Sequence, residues 1–146
     1  MGEQDAGGRA RAVPLLVVDA ANVVGSVPDG WWRDRRGAAE RLRDALAPLT
    51  GHGLGDGAEV PPWARTGPLE VVLVVEGAAR GVPGLPQVRV VEAPGSGDDR
   101  VVAAVQEALS ADPGRSCLVV TADRGLRTRV TALGALVTGP RTVRRA

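Results

Sequence analysis

The chain has 146 residues, 44% hydrophobic and 24% charged, with a net charge of +1. That is enough for one globular domain with its own core, too little for two, and unlike a disordered chain or a strongly basic scaffold that coats nucleic acid. Lysine is absent, which excludes a P-loop lysine, Schiff-base chemistry and the kinase lysine.

Phenylalanine, tyrosine and isoleucine are absent as well, and arginine supplies all 18 basic side chains. These missing residues share AT-rich codons, so the pattern reads as the bias of a GC-rich genome. Such a bias also removes asparagine, and the chain keeps a single one, Asn22. One cysteine, Cys117 in the apolar run SCLVV, rules out an intramolecular disulfide framework and reads as an inert buried thiol in a reducing compartment. No apolar stretch is long enough to span a bilayer, and residues 1–12 lead into no export-length apolar segment. The expectation is a soluble, cytoplasmic protein with no membrane partner.

In chain order, residues 1–12 are small, polar and Gly-rich and read as a flexible tail. VPLLVV (13–18) has no polar alternation and reads as a buried strand of a parallel sheet. Residues 33–47 place Ala38, Leu42, Ala45 and Leu46 at helical spacing. The Gly/Pro-rich stretch 50–68 reads as a flexible flap or insertion. LEVVLVV (69–75) is a second strand, 77–84 allows at most a short helical turn, and QVRVVEA (87–93) is a third strand. Residues 96–110 form a helix with acids in its first turn. RSCLVVTA (115–122) is a fourth strand, 123–134 a helix that Gly134 can end, and ALVTG (135–139) a fifth strand before a basic tail, 140–146. This order predicts a single α/β domain over 13–139, an open, mainly parallel five-stranded sheet with helices on both faces in three Rossmann-like layers.

The residues just after each strand carry the chemistry. Asp19 and Asn22 come after the first, Glu76 after the second, Ser96, Asp98 and Asp99 after the third, and Thr121 and Asp123 after the fourth. In an open parallel sheet these carboxyl ends share one edge, where ligands bind. Carboxylates brought together there repel one another, and a hard cation with oxygen ligands, Mg²⁺ or Mn²⁺, relieves the repulsion. His52 stands alone in a Gly-rich loop, so no zinc cluster is present. Each residue has a plainer reading too. Asp19 also suits a turn, Asn22 a left-handed or capping position, and Ser96, Asp98, Asp99 and Asp123 the first turn of a helix.

VVDAANVVGS resembles the first motif of the PIN-like nucleases, in particular the NYN and YacP-like branch, where an Asp closes strand one and an Asn follows three residues on. PGSGDD, opening a helix, resembles the family's central acidic pair, and VVTADRGL its strand-four motif. The order and spacing match over residues 13–139. Ala20 and Ala21 depart from the pattern, standing where a Gly and an aromatic or acidic residue are common, and the 50–68 insertion is a second departure.

The resemblance implies a metal-dependent ribonuclease acting on RNA, expected to be single-stranded, with one or two Mg²⁺ or Mn²⁺ ions. Asp19 and Asp98 are then the core ligands, with Asp123 completing the site directly or through water. Asp99 is a second ligand or a partner of the helix dipole, and Glu76 a second-metal ligand or a supporting acid. Asn22 is neutral, so it donates to a phosphate oxygen or holds a ligand carboxylate without adding charge. Ser96 and Thr121 orient carboxylates or contact phosphate. Arg124 is placed to hold a phosphate, and from Asp123 onward six arginines stand against that one acid. Trp31 offers an indole for stacking on an unpaired base, with burial in the core as its plainer role.

Two other readings use the same residues. One is a catalytically silent PIN-like module binding RNA, a nucleotide or a protein, and the other a small-molecule phosphohydrolase. The Asp-Ala-Ala at strand one and the lack of lysine argue against a haloacid-dehalogenase phosphatase and a response-regulator receiver. A homodimer and an antitoxin-type or other protein partner are both compatible with the resemblance.

Overall fold

The computed structural model describes residues 13–57 and 59–143. Five strands, β1 (Leu15–Asp19), β2 (Glu70–Val75), β3 (Val88–Glu92), β4 (Cys117–Val120) and β5 (Leu136–Thr138), form one sheet in the order β3-β2-β1-β4-β5. Every pairing is parallel, with Leu15 opposite Glu70 and Cys117, and Val18 opposite Leu73 and Val120. The helices are α1 (Ala20–Gly25), α2 (Arg35–Leu46), α3 (Leu49–His52), α4 (Gly97–Ala111) and α5 (Arg124–Ala132).

Strand alternation divides the core in two. Leu16, Val18, Val71, Leu73, Val75, Leu118 and Val120 face one side, with Ala39, Leu42 and Leu46 of α2 and Val23 of α1. Leu15, Val17, Val72, Val74, Cys117 and Val119 face the other, with Val101, Val102 and Val105 of α4 and Leu126 and Val130 of α5. The central strands are buried on both faces, which is why they read as unbroken apolar runs. Each fully buried Val or Leu contributes about 1.5–3 kcal/mol. Cys117 lies buried in the second core, and burial raises its thiol pKa, so it packs as a small apolar group.

The three longest helices, α2, α4 and α5, start on side-chain caps. Asp34 accepts from the Gly37 N–H (2.9 Å) to open α2, Ser96 Oγ from the Asp98 N–H (3.1 Å) to open α4, and Asp123 Oδ1 from the Leu126 N–H (2.8 Å) to open α5. Beyond α5, Gly134 adopts φ 106 in the turn that leads to β5.

Two parts go beyond the periodicity of the sequence. Helix α1 follows β1 directly, too short to show a helical repeat, and is secured by burial of Ala20 and Val23. The 50–68 connection, read from sequence as a flexible insertion, carries core residues. Leu54, Val60 and Ala64 are buried, and the Leu54 N–H donates to the Ala64 carbonyl (2.8 Å). Glu59 reaches the far edge of the sheet, accepting from the Gly139 N–H (3.2 Å). Among the described residues, no helix is long and apolar enough to cross a membrane.

Candidate functional site

The strand order places the site. The chain runs β1 to β2 to β3 outward in one direction, then crosses back to lay β4 on the other side of β1. The crevice between the carboxyl ends of β1 and β4 is therefore the topological switch point, where α/β sheets bind ligands. Asp19 and Asn22 leave β1 there, and Thr121, Ala122 and Asp123 leave β4.

Alternation also aims the side chains. Asp19 continues the series Leu15, Val17 that faces α4 and α5; Glu76 continues Val72, Val74, and Thr121 continues Cys117, Val119. All three thus stand on the face covered by α4, whose first turn carries Asp98 and Asp99. Gly97 admits Glu76 to this group: the Glu76 carboxylate lies against the Gly97 α-carbon, in the space a β-carbon would fill.

Asp19 is only 4% exposed. Burial raises its pKa to about 6, and the charges of Asp98 and Glu76 add to the rise. The Thr121 hydroxyl donates to Asp19 Oδ2 (3.1 Å) and the Asn22 N–H approaches Oδ1 (3.4 Å), both opposing it. The Asp98 pKa is raised by burial, then by Asp123, Glu76 and Asp99, with Arg129 acting in the opposite sense. Burial is thus the leading cause at both Asp19 and Asp98, and neighbouring carboxylates add to it.

A second set of bonds binds the two turns of the crevice together. Asn22 Oδ1 accepts from the Ala122 N–H (2.8 Å). Its own amide Nδ2 has no partner among the described residues and remains available to a ligand. Thr121 Oγ1 accepts from the Asp123 N–H (3.1 Å) while donating to Asp19, and Arg127 Nε donates to the Thr121 carbonyl (2.8 Å). Asn22 and Thr121 thereby lock the β1 and β4 turns in register at the switch point.

The remaining candidates are more peripheral. Asp123 uses Oδ1 to cap α5, and exposed Asp99 pairs with Arg129 (3.0 Å). Ser96 is engaged in capping α4. Arg124 is exposed beside Asp123 and makes no ion pair among the described residues. Trp31 is half-buried on the other face of the sheet, at a cavity bordered by Ala20, Ala21 and Glu76. Arg35, whose guanidinium lies 5.2 Å from the Trp31 ring centroid, also lines that cavity. Nothing in its sequence context, a helix start rich in arginine, distinguished it. Arg144 and Arg145 lie outside the described residues.

Among the described residues, no three His, Cys, Asp or Glu side chains stand close enough together to hold a metal ion by themselves. The groups that converge are hard carboxylate oxygens, and Mg²⁺ is commonly held by one or two of these plus water and substrate phosphate. The chemistry fits a cation shared with substrate; a cage built wholly from protein is not present among these residues.

The fold is found in solved structures. Rae1 (YacP) from Bacillus subtilis superposes with a TM-score of 0.62, over 90% of this chain and 71% of that one, at 18% identity. A tryptophan-to-leucine variant of the same protein gives 0.65 over 90% and 73%, again at 18% identity. The chain has the fold of Rae1 (YacP). The YacP-like branch is the one its motifs resemble. No protein-family model and no curated protein matches the sequence.

Proposed function

We propose that the protein is a ribonuclease that hydrolyses RNA phosphodiester bonds at the β1–β4 crevice with the help of Mg²⁺ or Mn²⁺. The observation that carries this reading is Asp19, buried at the switch point, whose pKa is raised to about 6 by burial and, to a smaller extent, by the charges of Asp98 and Glu76. A cluster of repelling acids is costly to keep unless something positive binds there. The likeness in fold to Rae1 (YacP) and the three motifs in order support a nuclease over other uses of such a sheet.

Asp19 and Asp98 are the residues assigned to hold the ion, with Glu76 beside them and Asp123 and Asp99 in reserve. When bound, the ion supplies a water made nucleophilic at neutral pH and offsets charge developing on the phosphoryl group. The protein's own groups do the rest. The Thr121 hydroxyl holds the Asp19 carboxylate in one orientation. Asn22, anchored through its oxygen, offers Nδ2 to a phosphate oxygen without adding negative charge. Arg124 offers a guanidinium at the mouth of the crevice, where a phosphate is bound bidentately.

The test is cleavage of end-labelled single-stranded RNA in Mg²⁺, Mn²⁺ or EDTA, by the parent protein and by Asp19→Asn and Asp98→Asn. Metal-dependent cleavage lost in both variants is expected. Cleavage that survives both substitutions, or absence of cleavage and of Mn²⁺ binding in the parent protein, would overturn the reading.

A further inference from the structure

A cavity of about 190 Å³ opens on the α1–α2 face of the sheet, next to the acidic crevice. Ala20, Ala21, Val24, Trp31, Arg35 and Glu76 are among the residues that line it. We infer that this slot seats one unpaired nucleobase of the RNA strand that is cut, an assignment that rests on the ribonuclease reading above.

Size and surface are the first argument. Drug-sized ligands need roughly 300–1,000 Å³, so this slot suits a single planar ring system. Its walls are mostly aliphatic side chains and one indole, with Arg35 and Glu76 as the charged groups, so stacking dominates over hydrogen-bond readout and tolerates any base. The small side chains of Ala20 and Ala21 leave the opening free. A larger residue at either position would narrow it.

The indole is also held in place before any ligand arrives. Asp29 Oδ1 accepts from the backbone N–H of Trp31 (3.1 Å), which fixes the turn that carries the ring, and Gly30 takes φ 83, which only glycine adopts without strain. The Trp32 ring meets Trp31 edge-on with centroids 6.1 Å apart. Gly25 passes close beside the indole, so a β-carbon there would sit 3.6 Å from it. A preorganised aromatic loses little entropy on stacking.

Charge is the third argument. The Arg35 guanidinium has no carboxylate partner among the described residues. It stands at the slot beside the indole, where the phosphate attached to a bound base would arrive. Glu76 borders the slot, while its carboxylate lies against the start of α4 on the acidic side. The slot and the acidic crevice share that wall, so a base in one brings its own backbone to the other.

The experiment measures binding in EDTA, where no cleavage occurs, by fluorescence anisotropy. Two end-labelled decamers are compared: oligouridine, and the same backbone with every base replaced by an abasic unit. Trp31→Ala is expected to weaken oligouridine binding about tenfold, the scale of one stacked base, with Trp31→Phe recovering most of it. All three proteins are expected to bind the abasic decamer equally. Ala21→Leu, an exposed change that narrows the slot and leaves Trp31 intact, is expected to reproduce the loss should Trp31→Ala fail to fold by circular dichroism. Equal binding of oligouridine by the parent protein and both slot variants would overturn the slot, and so would equal losses on the two decamers. Metal-dependent cleavage alongside either of those results would leave the ribonuclease reading standing. Failure of the parent protein to bind either decamer would overturn the slot, and the cleavage assay with metal would decide the ribonuclease reading separately.

Discussion

In metal-free buffer, Asp19→Asn is expected to be more stable than the parent protein at pH 7.5, with the advantage nearly gone at pH 4. Burial raises the Asp19 pKa from 3.8 to about 6, so the folded protein holds this proton more tightly than the unfolded chain. The stability this group contributes is therefore full below pH 3.8 and is lost as pH rises through 6. At 1.36 kcal/mol per pH unit, the ionised carboxylate costs the folded state about 3 kcal/mol at pH 7.5. Asparagine keeps one oxygen for the Thr121 hydroxyl but not a second for the Asn22 N–H, which returns about 1 kcal/mol. The net gain is about 2 kcal/mol, or roughly 4–8 °C in a domain of this size. Urea unfolding followed by tryptophan fluorescence in EDTA, at pH 4 and pH 7.5, measures it. A variant less stable than the parent at pH 7.5, or a gain that does not change with pH, would refute the reasoning. Mn²⁺ added at pH 7.5 is expected to raise the melting temperature of the parent protein and leave that of Asp19→Asn unmoved.

Asn22→Ala removes the oxygen that accepts from the Ala122 N–H and is expected to lower stability by about 1–2 kcal/mol, read as a shifted urea midpoint with an unchanged m-value; an unmoved midpoint would show that the clip is idle. Arg124→Ala is expected to weaken RNA binding for all sequences alike and to reduce the slope of log K against log salt by about one. An unchanged slope would remove Arg124 from the phosphate contacts. Gly53 has φ 77 and a β-carbon there would collide with the backbone of Arg65 and Thr66, so Gly53→Ala is expected to cost at least about 2 kcal/mol in thermal unfolding.

The strands and long helices were legible in the sequence because their signals are local. Runs such as LLVV and VVLVV mark strands buried on both faces, and the spacing of Leu42 and Leu46, or Leu126 and Val130, marks one face of a helix. The acids after each strand were legible for the same reason. Helix α1 was not, since six residues cannot display a period of 3.6, and the 50–68 stretch gave no sign of burying Leu54, Val60 and Ala64, because its glycines and prolines describe turns and not what the turns enclose.

Roles within the site were decided only in three dimensions. Sequence spacing treats Asp19, Asp98, Asp99 and Asp123 alike. The fold buries Asp19, pairs Asp99 with Arg129 and turns one oxygen of Asp123 to its own helix. Asn22 offers a donor, as its type suggested, but its oxygen is committed to Ala122, 100 residues away along the chain. The pKa of Asp19 and the partner of Asn22 both follow from β4 lying next to β1. That adjacency is a property of strand order, and no local pattern encodes it, since desolvation and Coulomb repulsion depend on distance in space.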